Sequence, residues 1–442
     1  MEGRPTAASY PSGSSTTEAP LDFLRRLAAD GGDIIPFRLG RRPAFLLNHP
    51  AHIDDVLVKQ AETFVKGRAF DRARDLLGNG PLTASGAQHV ERRRIAQGAF
   101  HRQRLPAYSA VMHAHAARLR NRWDGAPVDV ARDMRELTLG IAGEVLFGAD
   151  LAGAASEVGN AVEMAASARD GLISIVAPRR QTRVARRRLD PIIDAVLERR
   201  RARHATSPDL LSLLLDAVDG GDPGSEQQLR DDVLTFLLAA HDTIAHALTW
   251  TWLLLAEHPE ADRTFAAELE EVTGSASPWF EDLTRLPYTR AVLAEALRLF
   301  PPAWVIVRQA TRLQTCGGVL IPPGALVVAS PFVIHRDERF FPDPLRFLPE
   351  RWLRDPEAPP AGQRNPAARC TYFPFGAGPR SCIGEGFAWM EGVLVLATLG
   401  QAWRLNRSPG GGSVALPRIT LRPKGPVLMT PVRRDGGNRP AD

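Results

Sequence analysis

Phe373-Pro374-Phe375-Gly376-Ala377-Gly378-Pro379-Arg380-Ser381-Cys382-Ile383-Gly384 is the stretch that decides what this chain folds around. It sets a thiol between a glycine-rich loop and an apolar run, to about Ala402, that reads as a helix. Backbone N–H groups at a helix start lack intrahelical partners and carry the positive end of the helix dipole, a setting that favours a sulfur anion. Glycines at 376, 378 and 384 let the backbone pass close to something large and flat. Arg380, two residues before the thiol, suits a carboxylate on that same object. A lone cysteine is more often a small buried apolar residue. That reading leaves Phe375, three glycines and Arg380 in one loop without a reason. A thiolate, a flat partner and a carboxylate together describe haem with a cysteine axial ligand.

The segment resembles the haem-binding signature of the cytochrome P450 family, FxxGxRxCxG or FGxGxRxCxG. Phe375, Gly376, Gly378, Arg380, Cys382 and Gly384 fill every position, and Ala388 follows where a small residue is usual. The resemblance runs from about Leu21 to the C-terminus. It implies a mainly α fold with small β-sheets. Haem b (iron protoporphyrin IX) is then held between a long central helix and the cysteine-loop helix, with Cys382 as the metal ligand.

Three further constellations are weak alone and gain meaning beside the loop. Glu295 and Arg298 lie three apart on a helical run and share a face. In the family such a pair joins a later arginine, and Phe347-Leu348-Pro349-Glu350-Arg351-Trp352 supplies it. The resemblance therefore implies a structural triad of Glu295, Arg298 and Arg351. Ala239-Ala240-His241-Asp242-Thr243-Ile244 interrupts the longest apolar helix. Small residues at 239 and 240 leave room for a ligand, and a mid-helix threonine bonding to an i−4 carbonyl loosens the ladder. The run resembles the family's oxygen-activation motif, AGx(D/E)TT, with Ala240 replacing Gly and Ile244 the second Thr. It implies catalytic roles in proton supply for Thr243 and Asp242. His89 and Arg93 lie four apart on one helical face, and Arg308 opens a strand. By resemblance His89, Arg93, Arg308 and Arg380 hold the haem propionates, with Arg92 and Arg94 as alternatives if the register slips.

Bulk composition bounds the rest. The 442 residues are 44% hydrophobic, enough for a large core. Residues 1–20 read as a disordered polar tail and 21–442 as a single domain. The net charge of +5 invites a nucleic-acid reading. Only Lys59, Lys66 and Lys424 of the 55 basic residues are lysines, however, a skew that suggests a GC-rich genome and no nucleic-acid partner. The runs 179–188 and 199–203 read as solvated helix faces. Three cysteines with no CxxC spacing exclude a disulfide framework and a zinc site. No basic-then-apolar leader is visible, so a cytoplasmic protein is expected. His241, Asp242 and His246 inside the most apolar helix argue against a membrane anchor.

The expected elements are mostly helices: 86–123, 137–147, 229–257, 260–273, 288–299 and the post-cysteine helix. Strands are expected at 33–39, 44–48, 304–309, 319–321 and 326–329, with a C-terminal hairpin of 419–421 and 427–430. The resemblance implies a monooxygenase that uses O2 in hydroxylation, as an oxidoreductase of secondary metabolism. Its substrate walls fall by register on Phe70, Leu238, Trp304, Val305, Ile306, Ile419 and Thr420, and on the 173–178 connection. Nearly all are apolar and suit a terpenoid, fatty acid, steroid or polyketide. With no reductase domain in the sequence, electrons are expected from a ferredoxin and its ferredoxin reductase, and the protein is expected to be a monomer. A peroxide-driven or non-oxidative haem-thiolate enzyme (a peroxygenase or isomerase) and a non-enzymatic haem sensor are the rival readings. Both leave Asp242-Thr243 without a purpose.

Overall fold

The structure, a computed structural model, describes residues 8–10, 19–166, 178–203, 209–218, 223–274, 276–353, 369–408 and 413–434. A helix of 35 residues, Pro223–Glu257, runs through it. Its positions from Asp231 to Leu237 and from Ile244 to Leu255 are buried, as expected of a helix apolar on all sides. It packs most broadly on Val130–Phe147 and also on Glu385–Gly400, the helix after the cysteine loop. The helix starts six residues earlier than the apolar pattern implied. A proline at the first helical position costs no hydrogen bond, so the polar segment from 223 joins it. The expected run 86–123 is two helices, Gly86–Gln97 and Leu105–Arg122, with Pro106 at the start of the second. No helix among the described residues is long and apolar enough to cross a membrane.

The largest sheet has six strands in the order Ala8–Tyr10, Ile34–Leu39, Arg42–Leu47, Leu326–Ala329, Ile306–Ala310, Phe64–Val65. Leu326–Ala329 is buried at every position, the mark of a strand covered on both faces. Ala8–Tyr10 pairs parallel with 37–39, so part of the expected disordered tail is an edge strand of this sheet. Ile306–Ala310 begins two residues later than expected, which leaves Trp304 and Val305 ahead of the strand. The expected C-terminal hairpin does not form. Leu421–Pro423 pairs with Ala415–Pro417, whereas Leu428–Arg433 pairs with Trp403–Arg407 in a different sheet. Alternation marks a segment as strand but is silent on its partner.

Glu295 and Arg298, both fully buried, tie the helix Pro287–Leu299 to the segment that leads to the cysteine loop. Arg298 grips Glu295 with two bonds of 2.8 Å and donates to the carbonyls of His335, Pro344 and Arg346. Arg351 donates to Glu295 at 3.0 Å, so the implied triad is present as a geometry. The Trp352 indole and the Leu348 amide add bonds of 2.9 Å each to the same carboxylate. His335 carries the network onward, because its Nε2 accepts from the Phe373 amide at 3.0 Å. Burial and the adjacent Arg298 hold its imidazole well below the usual histidine range, which keeps Nε2 an acceptor.

Candidate active site

Cys382 lies three residues ahead of the first residue of the helix Glu385–Gly400. Its amide donates to the Phe375 carbonyl at 2.8 Å and closes the loop. Gly378 has φ of 71°, and a Cβ there would lie 2.1 Å from the Leu57 carbonyl. This glycine is required by close packing on the turn 55–59, outside the thiol's own surroundings. At Gly384 a Cβ would meet only ordinary contacts, 4.0 Å from Cys382 Sγ. What Gly384 contributes is its backbone N–H, which bonds to the sulfur.

The Cys382 side chain is exposed, yet burial pushes its thiol up to about 11. A sulfur that is both open and desolvated lines an internal hollow. The Gly384 N–H at the helix start favours the anion, as the sequence leads one to expect, and desolvation opposes it. A coordinated cation deprotonates a thiol outright, and this sulfur calls for one.

The central helix supplies the opposing wall. Phe236 lies tilted against Phe100 (6.0 Å between ring centroids), and Phe100 would touch a Cβ at Gly384 at 3.6 Å. About two turns further on, Ile244 packs near Gly392 of the cysteine helix. Between these contacts Ala239 is exposed and Leu238, Ala240 and Thr243 are half-open, although their neighbours are buried. The Thr243 hydroxyl donates to the Ala239 carbonyl at 3.1 Å, the i−4 bond expected of it. Asp242 turns the other way. It is 9% exposed and accepts from Thr420 at 2.8 Å. Burial pushes its carboxyl up, but His246, His241, the Thr420 hydroxyl and Arg422 outweigh this and hold it below the ordinary carboxylate range.

Five basic groups converge beside the loop. Arg93 donates to the Ser381 carbonyl at 2.7 Å, Arg380 to Ala84 at 2.8 Å and the buried Arg308 to Val307 at 3.0 Å. Burial lowers His89 to about 4, with Arg380, Lys66, Arg93 and Arg308 adding repulsion. Burial, then Arg380, brings Arg308 down to about 10. Lys66 is buried over the Phe70 ring at 4.8 Å and donates to the Leu82 carbonyl. Desolvation and the charges of Arg308 and Arg380 hold it well below the lysine range. No carboxylate pairs with any of the five among the described residues. The arrangement is that of a site whose anion comes from outside the chain, and the two propionates of haem supply the right charge beside a cysteine ligand. The residues fit the group. Arg92 pairs with Asp232 at 3.2 Å and Arg94 is exposed, so of the three arginines it is Arg93 that reaches the cysteine loop.

The candidate substrate residues divide. Phe70, Leu238, Val305, Ile306 and Ile419 are partly open, and Ile306 would meet a Cβ on Gly376 at 3.7 Å. Trp304 is no wall. It is 1% exposed within a core beside the six-stranded sheet, and its indole donates to the Arg418 carbonyl at 2.9 Å. Thr420 is 8% exposed and committed to Asp242, so it braces the wall from behind. Of the 173–178 connection, residues 173–177 lie outside the described residues. Sequence reasoning missed Lys66, Trp352, His335 and His246. Two left a signal: Lys66, as one of three lysines in an arginine-dominated chain, and His246, four residues after Asp242 inside the most apolar helix.

The family described as Cytochrome P450 matches residues 10–428. Cyclooctatin synthase of Streptomyces melanosporofaciens is 37% identical, over 94% of this chain and 92% of its own length. Cyclooctat-9-en-7-ol 5-monooxygenase of the same organism is 36% identical, over 88% and 86%. Pentalenene oxygenase of Streptomyces avermitilis is 33% identical, over 88% of each chain. The haem domain of cytochrome P450DA superposes with a TM-score of 0.83 over 98% of this chain and 99% of that one, at 24% identity. This chain belongs to the cytochrome P450 family and is a haem-thiolate monooxygenase.

Proposed function

We propose that this enzyme oxidises a cyclic terpenoid, hydrocarbon or partly hydroxylated, with Cys382 as the haem ligand. The carrying observation is the meeting of an open, desolvated thiol with five basic groups that no carboxylate answers among the described residues. Haem, when bound, activates O2 with two electrons and two protons, inserting one oxygen atom into the substrate and releasing the other as water. The chain's part is to hold and supply. Lys66, His89, Arg93, Arg308 and Arg380 take the propionates. Ala239 and Ala240 keep the distal side open, and Thr243 and Asp242 carry protons toward it; positioned proton donors contribute about 10²–10⁴-fold. The apolar lining at Leu238, Val305, Ile306 and Ile419 excludes water and accepts a hydrocarbon surface, and three relatives bear terpenoid names. A single domain that includes the strand Ala8–Tyr10, acting as a cytoplasmic monomer with a separate ferredoxin and ferredoxin reductase, completes the reading.

The reduced, carbon-monoxide-bound protein should show the strongly red-shifted Soret band of thiolate ligation, and Cys382→Ser should abolish it. A retained band in that variant would remove Cys382 from the iron. Among apolar compounds, cyclic diterpenes and sesquiterpenes should give the tightest spin-state shifts. Tighter binding of linear fatty acids would overturn the substrate class.

A further inference from the structure

Asp242, Thr420 and His246 form a chain of hydrogen bonds whose direction is fixed by chemistry. Asp242 as a carboxylate only accepts, so the Thr420 hydroxyl must donate to it at 2.8 Å. Thr420 then has only lone pairs left for His246 Nδ1, 3.1 Å away, so that nitrogen must carry the proton. The direct path from His246 Nδ1 to Asp242 is 3.6 Å, too long for a hydrogen bond. All three side chains are buried. The surrounding charged groups are His241, which is committed to the Leu237 carbonyl at 2.9 Å, with Arg422 and Arg135. Burial pushes His246 down to about 4, which leaves it neutral with a single proton to place.

Thr420 does not stand on the central helix. It belongs to the turn between Ala415–Pro417 and Leu421–Pro423, next to the half-buried Ile419. Two indoles pin that turn: Trp304 donates to the Arg418 carbonyl at 2.9 Å and Trp250 to the Leu421 carbonyl at 3.3 Å. The Leu421 amide donates to Pro302 at 3.0 Å. The turn that carries Ile419, read above as a substrate wall, thus also grips the acid beside Thr243.

We propose that Thr420, set by His246, is the positioning residue for Asp242, and that it ties proton delivery to the substrate-facing hairpin. This rests on the monooxygenase reading above. Held this way, the carboxylate stays back from the hollow until the hairpin gives. Loss of the Thr420 hydroxyl leaves a buried carboxylate without its donor, and it turns to water in the hollow whether or not substrate is seated.

The test uses the purified holoenzyme with a turned-over terpenoid and its electron donors. Thr420→Val should keep the red-shifted carbon-monoxide band and bind substrate within about twofold of the parent. Its product per NAD(P)H should fall at least threefold, with the balance appearing as peroxide. Thr420→Ser should restore coupling, which a mere packing role for the methyl group would not. Nitrogen-15 NMR of histidine-labelled, reduced carbon-monoxide-bound protein gives a readout independent of turnover. The resonance absent from His246→Gln should report a neutral, Nδ1-protonated ring in the parent and lose that tautomer preference in Thr420→Val. An Nε2-protonated or charged His246 in the parent overturns the proposal whether or not the variants fold. So does unchanged coupling in Thr420→Val. Loss of the band in the parent itself would sink the monooxygenase reading instead.

Discussion

The Glu295 carboxylate and the ammonium of Lys66 are both sealed inside this protein, under opposite arrangements. Around Glu295 each charge is answered from within the chain: Arg298 and Arg351 face it, and the rest of Arg298 is taken by three backbone carbonyls. Around Lys66, His89, Arg93, Arg308 and Arg380 the described residues bring basic groups and carbonyl dipoles but no carboxylate. A buried charge is strongly penalised unless paired. The first region is complete as folded, whereas the second is strained until an anion arrives. Charge-removing substitutions should therefore have opposite effects on the apoprotein in the two places.

The largest effect is expected at Glu295. Glu295→Ala strands Arg298 and Arg351 and should cost about 3–5 kcal/mol, a large part of a typical domain's stability. A urea unfolding midpoint shifted by less than the equivalent of ~1 kcal/mol would mean the carbonyls alone satisfy Arg298. Arg308→Met should do the reverse to the apoprotein, leaving its stability equal or higher as repulsion on Lys66 and His89 is relieved. The same variant should hold haem about 10–100-fold more weakly, the worth of one hydrogen bond to a charged group. Haem transfer to an acceptor protein measures this, and haem with esterified propionates should erase the difference. If it does not, the cluster is not the propionate site.

A pH series sharpens the contrast. His89 is lowered from an ordinary 6.5 to about 4, so as pH falls through this window the unfolded chain takes up a proton that the folded apoprotein refuses. Apoprotein stability should drop between about pH 6.5 and 4, and His89→Gln should flatten that slope. Haem-loaded protein should show a shallower fall, because a nearby anion favours the protonated ring. An identical slope with and without haem would place the anion elsewhere. The smallest effect concerns the outer face. If arginines near the cysteine loop greet an acidic ferredoxin, raising salt from ~0.05 to ~0.3 M should slow turnover several-fold through screening of surface charge. Insensitivity would point to an apolar contact.

How much of this was legible in the sequence follows from contact range. The cysteine loop and the pair Glu295 and Arg298 are short patterns whose geometry is set within a few residues, and both stand where they were expected. Arg351 was reachable because its segment has a shape of its own. Lys66, Trp352, His335 and His246 act across separations that carry no periodicity. His335, for instance, meets the Phe373 amide 38 residues away. Trp304 was misread because its strand begins at Ile306, and a short shift there moves a large ring from a wall into the core. The C-terminal strands were recognised as strands but matched to each other, since alternation says nothing about partner. The helix-start N–H at Cys382 is legible in the loop pattern, whereas the opposing desolvation depends on burial depth, which a one-dimensional pattern does not carry.

The pair of indoles at Trp250 and Trp304 has a consequence for how such an enzyme diversifies. Both grip main-chain oxygens, at Leu421 and Arg418, so what they fix is independent of the side chains displayed between them. Position 419 is thereby a socket whose occupant can be exchanged while its mounting stays put. A lineage can change the side chain displayed there by single substitutions, without first rebuilding the frame that carries it.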